Sequence, residues 1–153
     1  MVMGEIVNRR EIQDIISRLK ADGLKIVFTN GCFDIIHAGH VRYLRDARKY
    51  GDILIVGLNS DRSVGSLKHG RPIVPEGERA EVIAALDMVD YAVVFDEETP
   101  YELIKAIKPD VIVKGGDWDV GDIVGADLVR EVYSLPYHKG ISTTDIVRKI
   151  KSL

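Results

Sequence analysis

The sequence predicts an α/β fold in which helices cover both faces of a parallel sheet. Two observations lead to this prediction. Short apolar runs rich in Val and Ile lack alternating polar residues, which is typical of strands buried on both faces. Amphipathic stretches of about ten residues lie between these runs, as in successive βαβ units. The pattern therefore predicts a Rossmann-like, doubly wound sheet of five parallel strands, in a single domain over residues 1–153.

Five segments are predicted as strands. The first four are apolar almost throughout, whereas polar residues interrupt the fifth. In chain order they are 25–29, 53–58, 91–95, 111–114 and 131–135. Ligands bind open parallel sheets outside the carboxyl ends of the strands, near the point where strand order reverses. We therefore expect the functional site close to Thr29, Asn59 and Lys114, where three of these strands end.

Five amphipathic segments are predicted as helices. In chain order they are 8–22, 40–50, 76–88, 99–107 and 143–152. The first makes residues 1–24 a helical segment that precedes the first strand, with Gly23 as its stop signal. In the fourth, Thr99 is predicted to be the N-cap and Pro100 to occupy the first turn.

Composition and charge exclude several classes of protein. Hydrophobic residues make up 46% and charged residues 29%, which argues against disorder. The net charge of −3 disfavours a general binder of nucleic acid or anionic membranes, and no apolar run approaches the roughly 18 residues of a membrane span. The lone cysteine, Cys32, excludes an internal disulfide and a cysteine metal cluster. Together with a polar amino terminus, it predicts a cytoplasmic protein.

The segment 29–40, TNGCFDIIHAGH, carries the densest chemical pattern. It begins where a strand ends and runs into a helix. His37 and His40 are three residues apart and therefore project from the same side of the first helical turn. Free backbone N–H groups make such a turn a phosphate site, and two imidazoles there can donate to charge on phosphate oxygens. Gly31 permits a tight turn, and Gly39 leaves room for a ligand.

This segment resembles the nucleotidyltransferases of the cytidylyltransferase superfamily. Their motif G-x-F-D-x-x-H-x-G-H is matched by Gly31, Phe33, Asp34, His37, Gly39 and His40. Their second motif, a Ser-Thr-Thr segment before the last helix, is matched at 140–144. The resemblance extends over roughly residues 25–151, with both motifs in the correct order on a compatible strand and helix pattern.

Within the superfamily, the chain looks most like the adenylyltransferase domains of ADP-heptose synthases. The shared segments are Leu58-Asn59-Ser60-Asp61, Arg71-Pro72, Glu78-Arg79 and Lys114-Gly115-Gly116-Asp117. The glycerol-3-phosphate cytidylyltransferases are also similar, through Gly116-Asp117-Trp118 and the Gly-Ile-Ser-Thr-Thr run. That group carries an arginine where this chain has Tyr137, which favours the adenylyltransferase interpretation.

The resemblance implies transfer of AMP from ATP, with Mg²⁺, to D-glycero-β-D-manno-heptose 1-phosphate by direct in-line attack, giving ADP-heptose and pyrophosphate. Two alternatives stay open: a CTP-dependent enzyme acting on glycerol 3-phosphate or a similar alcohol phosphate, and a noncatalytic nucleotide-sensing module. The implied partners are a sugar kinase on a separate chain and a second copy in a homodimer. Neither nucleic acid nor membrane is expected as a partner.

The same resemblance implies roles for individual residues. Expected catalytic residues are His37, His40 and Lys68. Expected nucleotide-binding residues are Thr29, Asn30, Gly31, Cys32, Phe33, His37, Gly39, His40, Arg79, Gly115, Ser142, Thr143 and Thr144. Expected substrate-binding residues are Asp34, Asn59, Lys68, Lys114 and Asp117. No spacing of His, Asp and Glu indicates a metal site built by the protein, so Mg²⁺ is expected to arrive on the nucleotide.

Several of these residues also have a plainer interpretation. Lys68 lies in a polar stretch predicted to be a loop, where a solvated lysine is the alternative. Arg79 could pair with a neighbouring glutamate, and Trp118 is favoured as packing over base stacking. Asp34 is predicted either to bind Mg²⁺ or to orient the histidines. Cys32 is expected to contribute its backbone only, and its alkylation to inhibit by obstruction.

Overall fold

The architecture comes from a computed structural model, which describes residues 3–153; the first two residues of the predicted segment 1–24 lie outside this part. Six parallel strands form one sheet in the order β1-β4-β3-β2-β5-β6. Their bounds are Glu5–Ile6 (β1), Ile26–Gly31 (β2), Ile53–Asn59 (β3), Tyr91–Phe95 (β4), Val111–Gly115 (β5) and Glu131–Leu135 (β6). The parallel α/β prediction is confirmed, and the prediction of five strands is corrected to six.

Within residues 3–153, six α-helices and two short 3₁₀ turns accompany the sheet. The helices are Arg9–Ala21 (α1), Ala38–Arg48 (α2), Asp61–Leu67 (α3), Glu76–Ala84 (α4), Tyr101–Ile107 (α5) and Thr143–Lys151 (α6), and the 3₁₀ turns are Val120–Asp122 and Ala126–Leu128. α3 was not predicted. The predicted cap of α5 is wrong, because Pro100 takes the N-cap position and no side chain caps the helix. Within residues 3–153, no helix combines the length and apolar character needed to cross a bilayer.

The additional strand, β1, is only two residues long and lies at the edge of the sheet. Its backbone pairs with β4: the N–H of Glu5 donates to the carbonyl of Asp90 at 2.9 Å, and that of Val7 to Ala92 at 3.0 Å. Both β1 side chains are exposed. An exposed strand this short has no hydrophobic periodicity, so the sequence offers no signal for it.

Side chains of the central strands alternate between two buried cores, one on each face of the sheet. On β3, Leu54 and Val56 face the core shared with α2 and α4, where Leu44 is fully buried. Ile55 faces the other core, shared with α1 and α5, where Ile12 is fully buried. These strands are apolar throughout because both of their faces are covered.

Strand order reverses at β2, which determines where a ligand can bind. From β2 the chain continues to β3 and β4 on one side, then crosses to β5 and β6 on the other. The connections that follow β2 and β5 therefore diverge, and a crevice opens at the carboxyl ends of these two strands. The sequence motif 29–40 leads from β2 into this crevice.

Candidate active site

A cleft of about 920 Å³ lies at the carboxyl ends of the central strands. It brings together most of the residues predicted from the sequence, although they come from five separate segments of the chain. The predicted residues that line it are Asn30, Gly31, Cys32, Phe33, Asp34, His37, Gly39, His40, Asn59, Lys68, Lys114, Gly115, Ser142, Thr143 and Thr144. The other predicted residues, Thr29, Arg79 and Asp117, do not line the cleft.

The two motif histidines form a reciprocal cap at the start of α2. Nδ1 of His37, the N-cap residue, accepts a hydrogen bond from the backbone N–H of Gly39 at 3.1 Å. Nδ1 of His40 accepts one from the backbone N–H of His37 at 3.3 Å. The two rings stack with their centroids 3.8 Å apart. The H-x-G-H spacing thus fixes both rings through the helix terminus itself.

This cap also determines which nitrogen of each ring carries the proton. Burial lowers the pKa of His37, and burial together with the charges of His37 and Lys68 lowers the pKa of His40 to about 4. A neutral imidazole has one N–H, and each Nδ1 here is an acceptor. Each ring therefore carries its proton on Nε2. The helix start presents two fixed Nε2–H donors that remain neutral near pH 7.

The glycines of the motif make room for this arrangement. A Cβ on Gly39 would lie 2.9 Å from Cε1 of His37, so any larger residue would displace the ring. A Cβ on Gly31 would lie 2.9 Å from the ring of Phe33, which is buried and meets His40 edge-on at 5.2 Å. Phe33 itself has a φ of 46°, a strained conformation for a residue with a side chain.

Arg79 supports the cleft from below, which corrects the expectation that it contacts phosphate. Its guanidinium is fully buried and donates to the carbonyls of Cys32 at 2.7 Å and Asn59 at 2.8 Å. It also donates to the carbonyl of Val74 and pairs with Asp61, each at 2.9 Å. These bonds join the ends of β2 and β3 to the start of α4. Arg79 is therefore a positioning residue.

Asp34 is similarly engaged within the protein. Its carboxylate accepts from the backbone N–H groups of Ile73 at 2.9 Å and Val74 at 2.8 Å, and from Arg71 at 3.3 Å. Burial opposes its charge, but these donors prevail and hold its pKa below the usual range. The carboxylate is thus saturated and unsuited to bind Mg²⁺. Across residues 3–153, no three His, Cys, Asp or Glu side chains converge in a way that could hold a metal ion.

Three other predicted residues have environments that the sequence did not indicate. Lys68 directly follows α3, with its N–H bonded to the carbonyl of Val64 at 2.8 Å, so the stretch predicted as a loop begins as a helix end. Thr29 is fully buried, and its hydroxyl lies 2.6 Å from that of Tyr43. Asp117 is exposed outside the cleft, so no contact in the structure supports its expected substrate role.

The far side of the cleft is formed by the start of α6. Ser142 is the N-cap, and its hydroxyl accepts from the N–H of Asp145 at 3.1 Å. The Thr143 hydroxyl donates to the carbonyl of Ile35 at 3.3 Å, which joins this segment to the histidine loop. After β5, Trp118 donates from Nε1 to the carbonyl of Gly115 at 2.9 Å and is half exposed.

Several residues that line the cleft were not predicted from the sequence. Tyr43 donates its hydroxyl to the carbonyl of Val113 at 3.0 Å and so connects α2 to β5 beneath the site. Arg71 belongs to a segment already noted for its resemblance, which was the available signal; its pairing with Asp34 is seen only in the structure. Thr99 and Pro100 were assigned only to a helix start, although they also follow a strand that ends at the same edge of the sheet.

Comparison with known proteins agrees with this geometry. A family model described as cytidylyltransferase-like matches residues 28–149. The chain belongs to this family. It is 57% identical over 147 residues to the bifunctional protein HldE of Wolinella succinogenes, covering 95% of this chain and 31% of that protein. It is 54% identical over 142 residues to HldE of Aliarcobacter butzleri, covering 92% and 30%.

The chain therefore spans about three tenths of the length of these curated relatives. Among solved structures, it is similar to a lipopolysaccharide core biosynthesis protein from Thermoplasma volcanium. The identity is 28%, the TM-score is 0.65, and the match covers 76% of this chain and all of that one.

Proposed function

We propose that this chain is an adenylyltransferase that transfers AMP from ATP to D-glycero-β-D-manno-heptose 1-phosphate, releasing pyrophosphate and ADP-heptose. The observation that carries the proposal is the pair of neutral Nε2–H donors fixed at the start of α2, inside the cleft at the strand-order reversal. The choice of ATP and the heptose phosphate is supported by the sequence similarity to the HldE proteins.

The chemistry requires no covalent intermediate with the protein. An oxygen of the acceptor phosphate attacks the α-phosphorus of ATP in line; this P–O bond forms while the bond to the bridging oxygen breaks and its electron pair leaves on pyrophosphate. The attacking oxygen is already deprotonated near pH 7, so no general base is needed. This is consistent with histidines whose pKa values are lowered and which act as neutral donors.

Further positive charge comes from the segments around the histidines. Lys68 lines the cleft and lies close enough to His40 to lower its pKa, which places an ammonium beside the proposed phosphate site. At the N-terminus of α6, Thr144 lines the cleft, whereas the hydroxyl of Ser142 donates to Asp145 at 2.7 Å and that of Thr143 to the carbonyl of Ile35. ATP would bring Mg²⁺ on its own phosphates, since Asp34 is occupied. The ion would offset phosphate charge there.

The experiment is a panel of ATP and CTP against sugar and alcohol phosphates, with pyrophosphate as the readout. We expect pyrophosphate from ATP with the β-anomer of heptose 1-phosphate, and the α-anomer serves as the matched control. Pyrophosphate from CTP with glycerol 3-phosphate, and none from ATP, would overturn the proposal. Tight ATP binding without turnover on any acceptor would indicate a sensing module. A sugar kinase acting on the anomeric hydroxyl would supply the acceptor.

A further inference from the structure

Backbone pairing between β2 and β5 stops short of the cleft. The pairing of β2 with β5 ends at Phe28 and Ile112, whereas the pairing of β2 with β3 continues to Gly31 and Leu58. Beyond Phe28 and Ile112, β2 and β5 therefore diverge. β2 leads into the histidine motif, and β5 ends at residues that line the same cleft. The separation of these two strand ends thus sets the width of the crevice.

A side chain from α2 spans the two strands where their backbones no longer pair. The hydroxyl of Tyr43 lies 2.6 Å from Oγ1 of Thr29, which follows Phe28 on β2. The same hydroxyl donates at 3.0 Å to the carbonyl of Val113, which follows Ile112 on β5. One phenol oxygen therefore contacts both strands at the first position beyond their pairing. We call Thr29, Tyr43 and Val113 the tyrosine bridge.

The two hydroxyls of the tyrosine bridge form a chain with a defined direction. A tyrosine hydroxyl has one proton, and Tyr43 donates it to the carbonyl of Val113. The Thr29 hydroxyl must therefore donate to the Tyr43 oxygen. Burial raises the pKa of Tyr43 above its usual range, so its hydroxyl stays protonated near pH 7. Both bonds of the bridge can form together in the resting protein.

The Tyr43 ring lies against the backbone of β5 and on the same helix as the histidines. A Cβ on Gly115 would lie 3.3 Å from Cε2 of Tyr43, which is tighter than ordinary van der Waals contact. Glycine at this position therefore gives the ring room. Tyr43 follows His40 by three residues on α2 and shares its side of the helix. One residue thus connects the histidine helix to the ends of both strands.

We propose that Tyr43 is a positioning residue for the transfer reaction, because it fixes the ends of β2 and β5 and so places His37 and His40 against the substrate phosphates. This inference rests on the proposed function and assigns Tyr43 no contact with the reacting atoms. In-line transfer is sensitive to such placement, since misplacement by about 1 Å can cost about 100-fold in rate. In this proposal Thr29 acts on Tyr43 rather than on the nucleotide.

The first test compares two substitutions that each remove one hydroxyl and keep the ring. Tyr43→Phe breaks the tyrosine bridge. Tyr101→Phe is the matched control, since its hydroxyl bonds Asp127 at 2.8 Å and Tyr101 does not line the cleft. For Tyr43→Phe we expect kcat to fall roughly 10- to 100-fold, with the KM values for ATP and the sugar phosphate within about twofold. Tyr101→Phe should keep kcat within about twofold.

Calorimetric titration with a non-hydrolysable ATP analogue separates positioning from a general structural defect. We expect Tyr43→Phe to bind the analogue with the stoichiometry and affinity of the unmodified protein, although its kcat is lower. A merely structural role would lower the stoichiometry together with kcat, because partly unfolded chains neither bind nor react.

A second test uses Thr29→Val, which removes the donor to Tyr43 and keeps a side chain of similar shape. Its kcat should fall less than that of Tyr43→Phe, since Tyr43 keeps its bond to Val113. The double variant should resemble Tyr43→Phe alone, because both substitutions break the same bridge. Additive losses, or a raised KM for ATP in Thr29→Val, would overturn the bridge. If Tyr43→Phe does not fold, an unchanged kcat in Thr29→Val overturns it as well.

The outcomes also separate this inference from the proposed function. A kcat within about twofold of normal in Tyr43→Phe, or a parallel fall in kcat and in binding of the ATP analogue, overturns the role of Tyr43 and leaves the transfer reaction intact. Absence of ADP-sugar from the unmodified protein with every acceptor overturns the proposed function, and this inference with it. A lower kcat with unchanged binding, and a normal kcat in Tyr101→Phe, supports both.

Discussion

The two sides of the cleft differ in how firmly the protein holds them. The histidine side, residues 30–40 with α2, is packed into the core: Leu44 and Ala47 are fully buried, and the buried guanidinium of Arg79 binds the carbonyl of Cys32. The α6 side has no buried residue in its helix and is joined to the histidine side by a hydrogen bond from Thr143 to Ile35. The rigid side carries the proposed chemistry, and the loosely packed side carries the residues proposed to contact the nucleotide, Ser142, Thr143 and Thr144.

This difference has a physical basis. Groups that stabilise charge in a transition state must be in place before the reaction, because moving them costs free energy at the barrier. Groups that admit and release a ligand belong on segments with few buried contacts, which open at low cost. Substitutions on the histidine side should therefore change turnover and stability, whereas substitutions on the α6 side should change the affinity for ATP.

The largest expected effect is on turnover, from His37→Asn. Asparagine is itself a good N-cap and can accept the Gly39 N–H bond, but it lacks the Nε2–H donor. We expect kcat to fall by about 100-fold or more, with the melting temperature nearly unchanged. His40→Ala should lower kcat at least as much with the fold intact. The melting temperature of each variant is the control for an intact fold. Near-normal rates in the His37 and His40 variants would remove both residues from the mechanism.

Next is a stability effect on the same side, from Arg79→Met. Removing the guanidinium leaves buried carbonyls of Cys32 and Asn59 without a donor. Loss of a buried charged partner typically costs about 3–5 kcal/mol, so urea unfolding should show a decrease of that size. Arg62→Met, at an exposed pair with Asp96, is the control and should leave the free energy of unfolding nearly unchanged. Unchanged stability with weaker ATP binding would instead restore Arg79 as a phosphate ligand.

The histidine side should also make stability depend on pH. Burial lowers the pKa of His40 from the ordinary histidine value of 6.5 to about 4 in the folded protein, so the unfolded chain binds more protons between these values. Its contribution to stability is complete above pH 6.5 and is lost as the pH falls through about 4. Unfolding free energies measured across this range should decline less steeply for His40→Asn. If the free energy of unfolding depended on pH equally in the unmodified protein and in His40→Asn, the imidazole of His40 would not be buried and neutral.

The smallest expected effect lies on the α6 side, from Ser142→Ala. It removes an N-cap, a loss worth about 0.5–2 kcal/mol to a helix, but α6 buries no residue. We expect global stability to change by less than about 1 kcal/mol and the affinity for ATP to fall about fivefold. Ser152→Ala, at the other end of the same helix, is the control. A large loss of stability in Ser142→Ala would show that α6 contributes to global stability as much as the histidine side does.

Much of the fold was predictable because its signals are local. Strands buried on both faces are apolar in an unbroken run, and the H-x-G-H spacing places two rings on one helical turn. β1 was missed because an edge strand of two exposed residues has no pattern. α3 was missed because seven residues containing Gly65 are too few for a helical period to be recognised.

The roles of the site residues were harder to predict for a different reason. Arg79 and Asp34 belong to motifs and carry charges, so the sequence favoured ligand contacts for both. Their actual partners are carbonyls, amides and side chains that lie up to 47 positions away in the chain. Such pairings depend on how strands and helices meet, and residue spacing does not specify them. Lys114 shows the converse: among residues 3–153, no carboxylate forms an ion pair with this predicted ligand residue.

The bonds to Asp34 have a consequence for how this site can be observed. The amide protons of Ile73 and Val74 lie outside every helix and strand, yet both are bonded to a carboxylate at least 39 positions earlier in the chain. These protons can exchange with solvent deuterium only when their hydrogen bonds to Asp34 break. The exchange rates of these two amides therefore report whether the histidine loop is folded, and they do so without any substrate.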